Sequence, residues 1–235
     1  MFPKFARFAT AAAMPAAVLA ALCFGGTPAR AQAQAQGAVA RPEMVAPDAL
    51  VKTVTLEVVD IIQKDKEIQG GGADGKKKVV ALIETKVLPH FNFQAMTASA
   101  VGRNWDKANA EQKLRLTDEF KTLLVRTYSS ALASYSSQKF DFRPLRAKPT
   151  DTDVTVNVRI MQSGTEPVTI DYDMEKRPGG WKVWDVRVGG ISLVANYRTE
   201  FDNLIRDGGV EGLIKALYAK NSSQAQTPVA GAQKK

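Results

Sequence analysis

Apolar positions recur every three to four residues through the first half of the chain and every second residue through the stretch that follows. Val51, Val54, Val58 and Ile62 form one stripe, which predicts a helix that Asp48 can cap and that ends before Gly70-Gly71-Gly72. Val79, Ile83 and Val87 predict a second helix, capped by Asp74 and stopped by Pro89. A third is expected to begin at Asn92 and end near Gly102. The longest is expected from Asn109, where Asn109 and Gln112 have capping-box spacing, through Leu116, Phe120, Leu123, Leu124, Thr127, Ala131 and Tyr135. Leu114, Tyr128 and Leu132 widen its stripe, and a stripe that broad packs against more than one neighbour.

After Ser137 the period changes from 3.6 to 2. Phe140 and Phe142 open one strand. Val154, Val156, Val158 and Ile160 share a face of the second, Val168, Ile170, Tyr172 and Met174 a face of the third, and Trp184, Val186 and Val188 a face of the fourth. Pro178-Gly179-Gly180 marks the turn between the last two. The period breaks at Gly189-Gly190 and resumes with helical spacing at Leu193, Tyr197, Phe201, Leu204 and Ile205. A final helix is read through Val210, Leu213, Ile214 and Leu217. Helices, then four strands, then helices give an α+β domain in which a curved antiparallel sheet has its apolar face covered by helices.

Both ends lack any period. Residues 1–31 have the three-part design of a cleaved secretory signal, with basic Lys4 and Arg7, an apolar run from Ala9 to Phe24, and Ala29-Arg30-Ala31 before Gln32. Residues 32–47 read as a flexible Gln/Ala/Pro-rich leader and 221–235 as a polar tail. The folded part is then one domain, 48–220, helical over 48–137, sheet over 139–189 and helical again over 191–220. Cys23, the only cysteine, lies inside the signal, so the processed chain is expected to have no disulfide, thiolate or cysteine metal site. The net charge of +8 falls to about +5 once Lys4, Arg7 and Arg30 are removed, leaving 29 Lys+Arg against 24 Asp+Glu. For an exported chain that balance favours anionic lipid head groups or acidic protein partners over nucleic acid.

Residues able to carry catalysis are sparse. His90, the only histidine, stands alone at a helix stop and reads as a loop or cap residue. No G-x-S-x-G or phosphate-loop spacing occurs, and Lys76-Lys77-Lys78 reads as a solvated run in a first helical turn. The inward registers of the four strands contain almost no ionisable group. Large apolar side chains, in contrast, crowd the surfaces that face one another: Phe91, Phe93 and Met96; Leu123, Leu124 and Tyr128; and Ile160, Ile170, Tyr172, Met174, Trp184 and Val188, with Leu193, Tyr197 and Phe201 placed to close over them. The pattern alone fits a filled core as well as a hollow one.

Three segments carry a resemblance that bears on this choice. V-G-G-I-S-L-V-A-N-Y-R-T-E-F from Val188 to Phe201, F-N-F-Q-A-M-T-A-S-A-V-G-R-N-W from Phe91 to Trp105, and E-Q-K-L-R-L-T-D-E-F-K-T-L-L-V-R-T-Y from Glu111 to Tyr128 together resemble the MlaC (toluene-tolerance) family of the maintenance-of-lipid-asymmetry pathway. The resemblance implies a cone like that of nuclear transport factor 2, enclosing an apolar lipid cavity walled by the residues just named. It implies a periplasmic monomer that is not an enzyme, takes no cofactor, and carries phospholipid as cargo between an inner-membrane ABC transporter complex with a lipid-binding ring and an outer-membrane lipoprotein/porin complex. Arg143, Arg146 and Arg198 would sit at the mouth or on docking surfaces, and Tyr197-Arg198 would fix the lip or anchor its helix. The alternative function on the same cone is a pocket enzyme acting on a small apolar substrate.

Overall fold

The computed structural model describes residues 44–133, 138–148, 150–161, 164 and 166–226. The expected signal, the leader up to residue 43, Tyr135, the Leu132 side chain and the tail from 227 lie outside them. The helices are α1 (Pro47–Lys64), α2 (Lys66–Gly70), α3 (Ala73–Leu82), α4 (Phe93–Val101), α5 (Ala110–Ala133) and α6 (Ala195–Gln226). Between α5 and α6 run β1 (Lys139–Phe142), β2 (Asp153–Met161), β3 (Val168–Arg177), β4 (Gly180–Val188) and β5 (Ile191–Ser192). They form one antiparallel sheet in sequence order.

The helical half departs from the expected boundaries for local reasons. Ala46 rather than Asp48 is the N-cap of α1, with Pro47 preset for the first turn. The helix expected to reach Gly70 ends at Lys64, because the Asp65 side chain accepts from the N–H groups of Glu67 and Ile68 and starts α2 instead. Gly72, not Asp74, precedes α3. Gly75 lets α3 lie against α2, since a Cβ there would stand 2.1 Å from the Glu67 carbonyl oxygen. Chain beyond α3 passes through a π turn, Ile83–Val87, and a 3-10 turn, Leu88–His90, that contains Pro89. Asn92 caps α4 by accepting from the Ala95 N–H, and Asn109 and Gln112 exchange the two bonds of a capping box at the start of α5. Leu114 does not widen the packed stripe of α5; it points to solvent at 69 % exposure.

The sheet has five strands, not four. Gly189 and Gly190 adopt φ of 58° and 83°, the positive angles that a two-residue hairpin demands, so Ile191 pairs with Val188 before α6 begins at Ala195. A larger change lies within β4. Met174 pairs with Val183 but Asp173 pairs with Asp185, so Trp184 is the extra residue of a β-bulge. The bulge reverses the facing of the first half of β4, and Trp181 and Val183 join Val186 in the sheet's apolar cluster. α6 bends at Gly209, whose φ and ψ of 65° and −171° are not helical, and runs past the expected boundary at 220. Asn221 is buried there and donates to Glu119, while Arg126 donates to the Asn221 carbonyl.

Buried apolar residues fall into three clusters. One joins α4, α5 and α6 around Phe120, Leu116, Phe201 and Leu213. A second covers the inner sheet face with Val51 of α1, and a third joins α1, α2 and α3 through Val58, Ile62, Val79 and Ile83. A domain of this size ordinarily has one contiguous core. Here the three clusters stand around a space.

Candidate functional site

That space is a cavity of about 430 Å³. Its walls come from all three clusters: Val51, Val54, Val58 and Ile62 from α1, Met96 from α4, Leu124 and Tyr128 from α5, and Ile160, Ile170, Met174, Val183, Val186 and Val188 from the sheet. Among the described residues that line it, only Thr55, His90, Tyr128, Ser129 and Tyr172 have a side chain with a nitrogen or oxygen, and none is Asp, Glu, Lys or Arg. Many wall residues, Leu50, Val54, Val125 and Phe140 among them, are only half-buried although they face inward. Ala131 is exposed and still lines the cavity, so the cavity reaches the surface beside the last turns of α5.

Of the residues expected to wall a cavity, Phe91, Phe93, Met96, Leu124, Tyr128, Ile160, Ile170, Tyr172, Met174, Val188 and Leu193 are brought together around it. Four are placed elsewhere. Leu123 points into the α4–α5–α6 cluster at 1 % exposure. Trp184 is turned away by the bulge. Tyr197 and Phe201 pack edge-on against Phe120 at 5.1 and 5.3 Å between ring centroids, so they fasten α6 to α5 behind the cavity rather than closing it. Burial pushes the Tyr197 hydroxyl up to about 12, helped by the charge of and hydrogen bond to Tyr128 and opposed by a hydrogen bond with Thr127.

The wall residues missing from the sequence reading are those of α1, the turn residues Ile83, Val87, Leu88 and His90, Val125, Ser129 and Ala131 of α5, Phe140 of β1, and Val183. The stripe on α1 was the available signal, since it has the same spacing and composition as the other apolar faces. Arg198 does not reach the mouth: its guanidinium donates to the Ser99 carbonyl at 2.9 Å and anchors α6 to the end of α4. Arg143 pairs with Asp141 on β1. Lys78 pairs with Asp65 and Glu67, and Lys77 with Asp74.

The outer sheet face is polar and paired. Thr155 donates to Asp173 at 2.7 Å, Asn157 to Asp171 at 2.6 Å, and Arg187 lies 3.1 Å from Asp173. Asp185, buried at 6 % exposure, accepts from the Val186 and Val194 N–H groups and from the Ser192 hydroxyl at 2.8, 3.3 and 2.5 Å. Ser192 in turn accepts from the Ala195 N–H at the first turn of α6. One carboxylate thus holds the hairpin and the start of α6 to β4, which fixes Leu193 on the cavity wall.

The chain is similar to proteins already known. The solved structure of a phospholipid-binding protein from Ralstonia solanacearum, in complex with a phospholipid, matches with a TM-score of 0.69 at 39% identity, covering 76% of this chain and 98% of that one. The intermembrane phospholipid transport system binding protein MlaC of Haemophilus influenzae is 23% identical over 60% of this chain and 67% of its own length. The toluene tolerance protein ttg2D of Pseudomonas putida is 28% identical over 52% of this chain and 60% of its own. The MlaC protein family model matches residues 52–219, which span every wall of the cavity except its outermost turn on α1, and the chain belongs to that family.

Proposed function

We propose that this chain is a phospholipid carrier of the periplasm, reached after removal of residues 1–31, and that it shuttles phospholipid between inner- and outer-membrane complexes. The observation that carries the reading is the 430 Å³ apolar cavity between three separate clusters. Walls held that far apart forgo the dispersion contacts that a filled core makes across the same space. An apolar guest returns those contacts. A two-tailed lipid of about 30 methylenes needs the same burial, since at roughly 0.8 kcal/mol per CH₂ its tails lose on the order of 25 kcal/mol in water.

The cone-like form, the monomeric state and the two partner complexes belong to the same proposal. So does the reading that the chain carries its ligand unchanged. The carrier domain begins at about 48 and, with α6, extends to Gln226. Among the described residues no helix is long and apolar enough to cross a membrane. Denaturing extraction of the purified protein followed by lipid mass spectrometry tests the reading. Near-stoichiometric phospholipid is expected; protein that neither carries nor takes up acyl chains would sink it.

A further inference from the structure

His90 is the one titratable nitrogen heterocycle on the cavity wall, and among the described residues its imidazole has no hydrogen-bond partner. The residue is half-buried and its ring nitrogens are not sealed from solvent, so they are open to a partner that a ligand supplies. Its surroundings favour an anion. Lys182 donates to the Pro89 carbonyl at 2.5 Å, which holds its ammonium beside His90 and leaves further N–H donors unused. Glu57, also near His90, is paired with Lys86 at 2.5 Å. Glu175, which stands opposite Lys182 on β3, is taken by Arg177 and Asn92. Lys182 itself has no ion pair among the described residues, so the local balance is positive.

The position is equally informative. Phe91, next to His90, bridges to Val183, whereas Ile160 and Val188 line the other end of the cavity. Val183 and Val188 are five residues apart on β4, about 16 Å along the strand. The other polar side chains among the lining residues, Thr55, Tyr128, Ser129 and Tyr172, carry uncharged hydroxyls.

We propose that His90, on the cavity wall, and Lys182, just outside it on the Pro89 carbonyl, form a polar subsite at one end of the cavity that takes the phosphate of the carried lipid. The assignment rests on the carrier reading above and adds an orientation: head group at the Pro89–Phe91 turn, tails between α1, α5 and the sheet. Burial, and next the charge of Lys182, hold the imidazole below the usual histidine range, with Glu57 opposing them. A phosphate beside it reverses that direction.

Because the chain has a single histidine, its imidazole signals can be followed without ambiguity in ¹⁵N-labelled protein. The purified protein is exposed in turn to phosphatidylglycerol vesicles, to dispersed hexadecanol and to inorganic phosphate alone. Uptake of phosphatidylglycerol should raise the His90 midpoint by about one unit or more, the effect of a close opposite charge; uptake of hexadecanol should not. Lys182→Met should release phosphatidylglycerol severalfold faster and leave hexadecanol release unchanged. Loading of both amphiphiles with an unmoved His90 midpoint overturns the subsite while the cavity reading stands. Uptake of neither overturns both. An equal shift with inorganic phosphate alone overturns the lipid assignment.

Discussion

Val183 and Val186 line the same cavity wall, although residues three apart on an unbroken strand point to opposite faces. The bulge at Trp184 makes them neighbours by absorbing one residue between Val183, opposite Met174, and Asp185, opposite Asp173. Substituting the wall and the bulge should therefore have opposite consequences. Val183→Thr keeps the β-branched shape but puts a hydroxyl in an apolar wall, and Val183→Asp adds a charge; lipid retained per protein should fall severalfold in the first and be lost in the second. Trp184→Ser should stay within about twofold of the parent. Lipid mass spectrometry, with circular dichroism as the check on folding, decides between this facing and the one an unbroken alternation gives.

Asp185 adds a side-chain clamp to the backbone pairing that reverses the chain after β4. Its carboxylate satisfies two buried N–H groups and takes the proton of the Ser192 hydroxyl, which in turn accepts from the Ala195 N–H. Asp185→Ala should cost about 2–3 kcal/mol, the scale for hydrogen bonds to a charged group, and Ser192→Ala about 1 kcal/mol. The double variant should cost less than the sum, because the two side chains share one bond. Urea denaturation of all three variants measures this.

These two elements also show where the sequence was legible. Asn109 with Gln112, and Asn92 with the Ala95 N–H, are local devices completed within four residues, and the capping-box spacing of the first and the Asn of the second placed the starts of α5 and α4. The alternation of β2 and β3 was equally direct. Trp184 was misplaced because a bulge is decided by the partner strand, and nothing in W-K-V-W-D-V marks which residue is surplus. Asp65 went unnoticed as a cap because no Gly or Pro stands between Ile62 and Gly70 to mark a break in the helix. The hollow centre could not be read at all: Leu123 and Leu124 are chemically identical neighbours, and one fills a core while the other faces the cavity.

Tyr197 offers a pH test of the packing behind the cavity. Its pKa is pushed up to about 12 in the fold, first by burial, against an ordinary value of 10.0. The native state therefore holds its proton more tightly than the unfolded chain. The stability this contributes is fully present below pH 10 and is lost as the pH rises from there toward 12. Absorbance titration of the phenolates should show a late-ionising tyrosine that disappears in Tyr197→Phe, and the variant's stability should fall less steeply over that alkaline window.

Space in the centre makes an enlarging substitution informative. In a filled core, replacing a valine by phenylalanine forces neighbours aside and typically costs 1–3 kcal/mol. Val54 lies on the half-buried cavity face of α1, with about 430 Å³ in front of it. Val54→Phe should therefore stabilise lipid-depleted protein by about 1 kcal/mol through the added apolar burial. The same ring occupies room that acyl chains would use, so bound lipid should fall severalfold. Thermal unfolding of depleted protein and lipid mass spectrometry of the untreated protein give the two readouts. A loss of stability in the depleted variant would mean that the three clusters close into one core once the guest is gone, and that the cavity is held open by its cargo rather than by the fold.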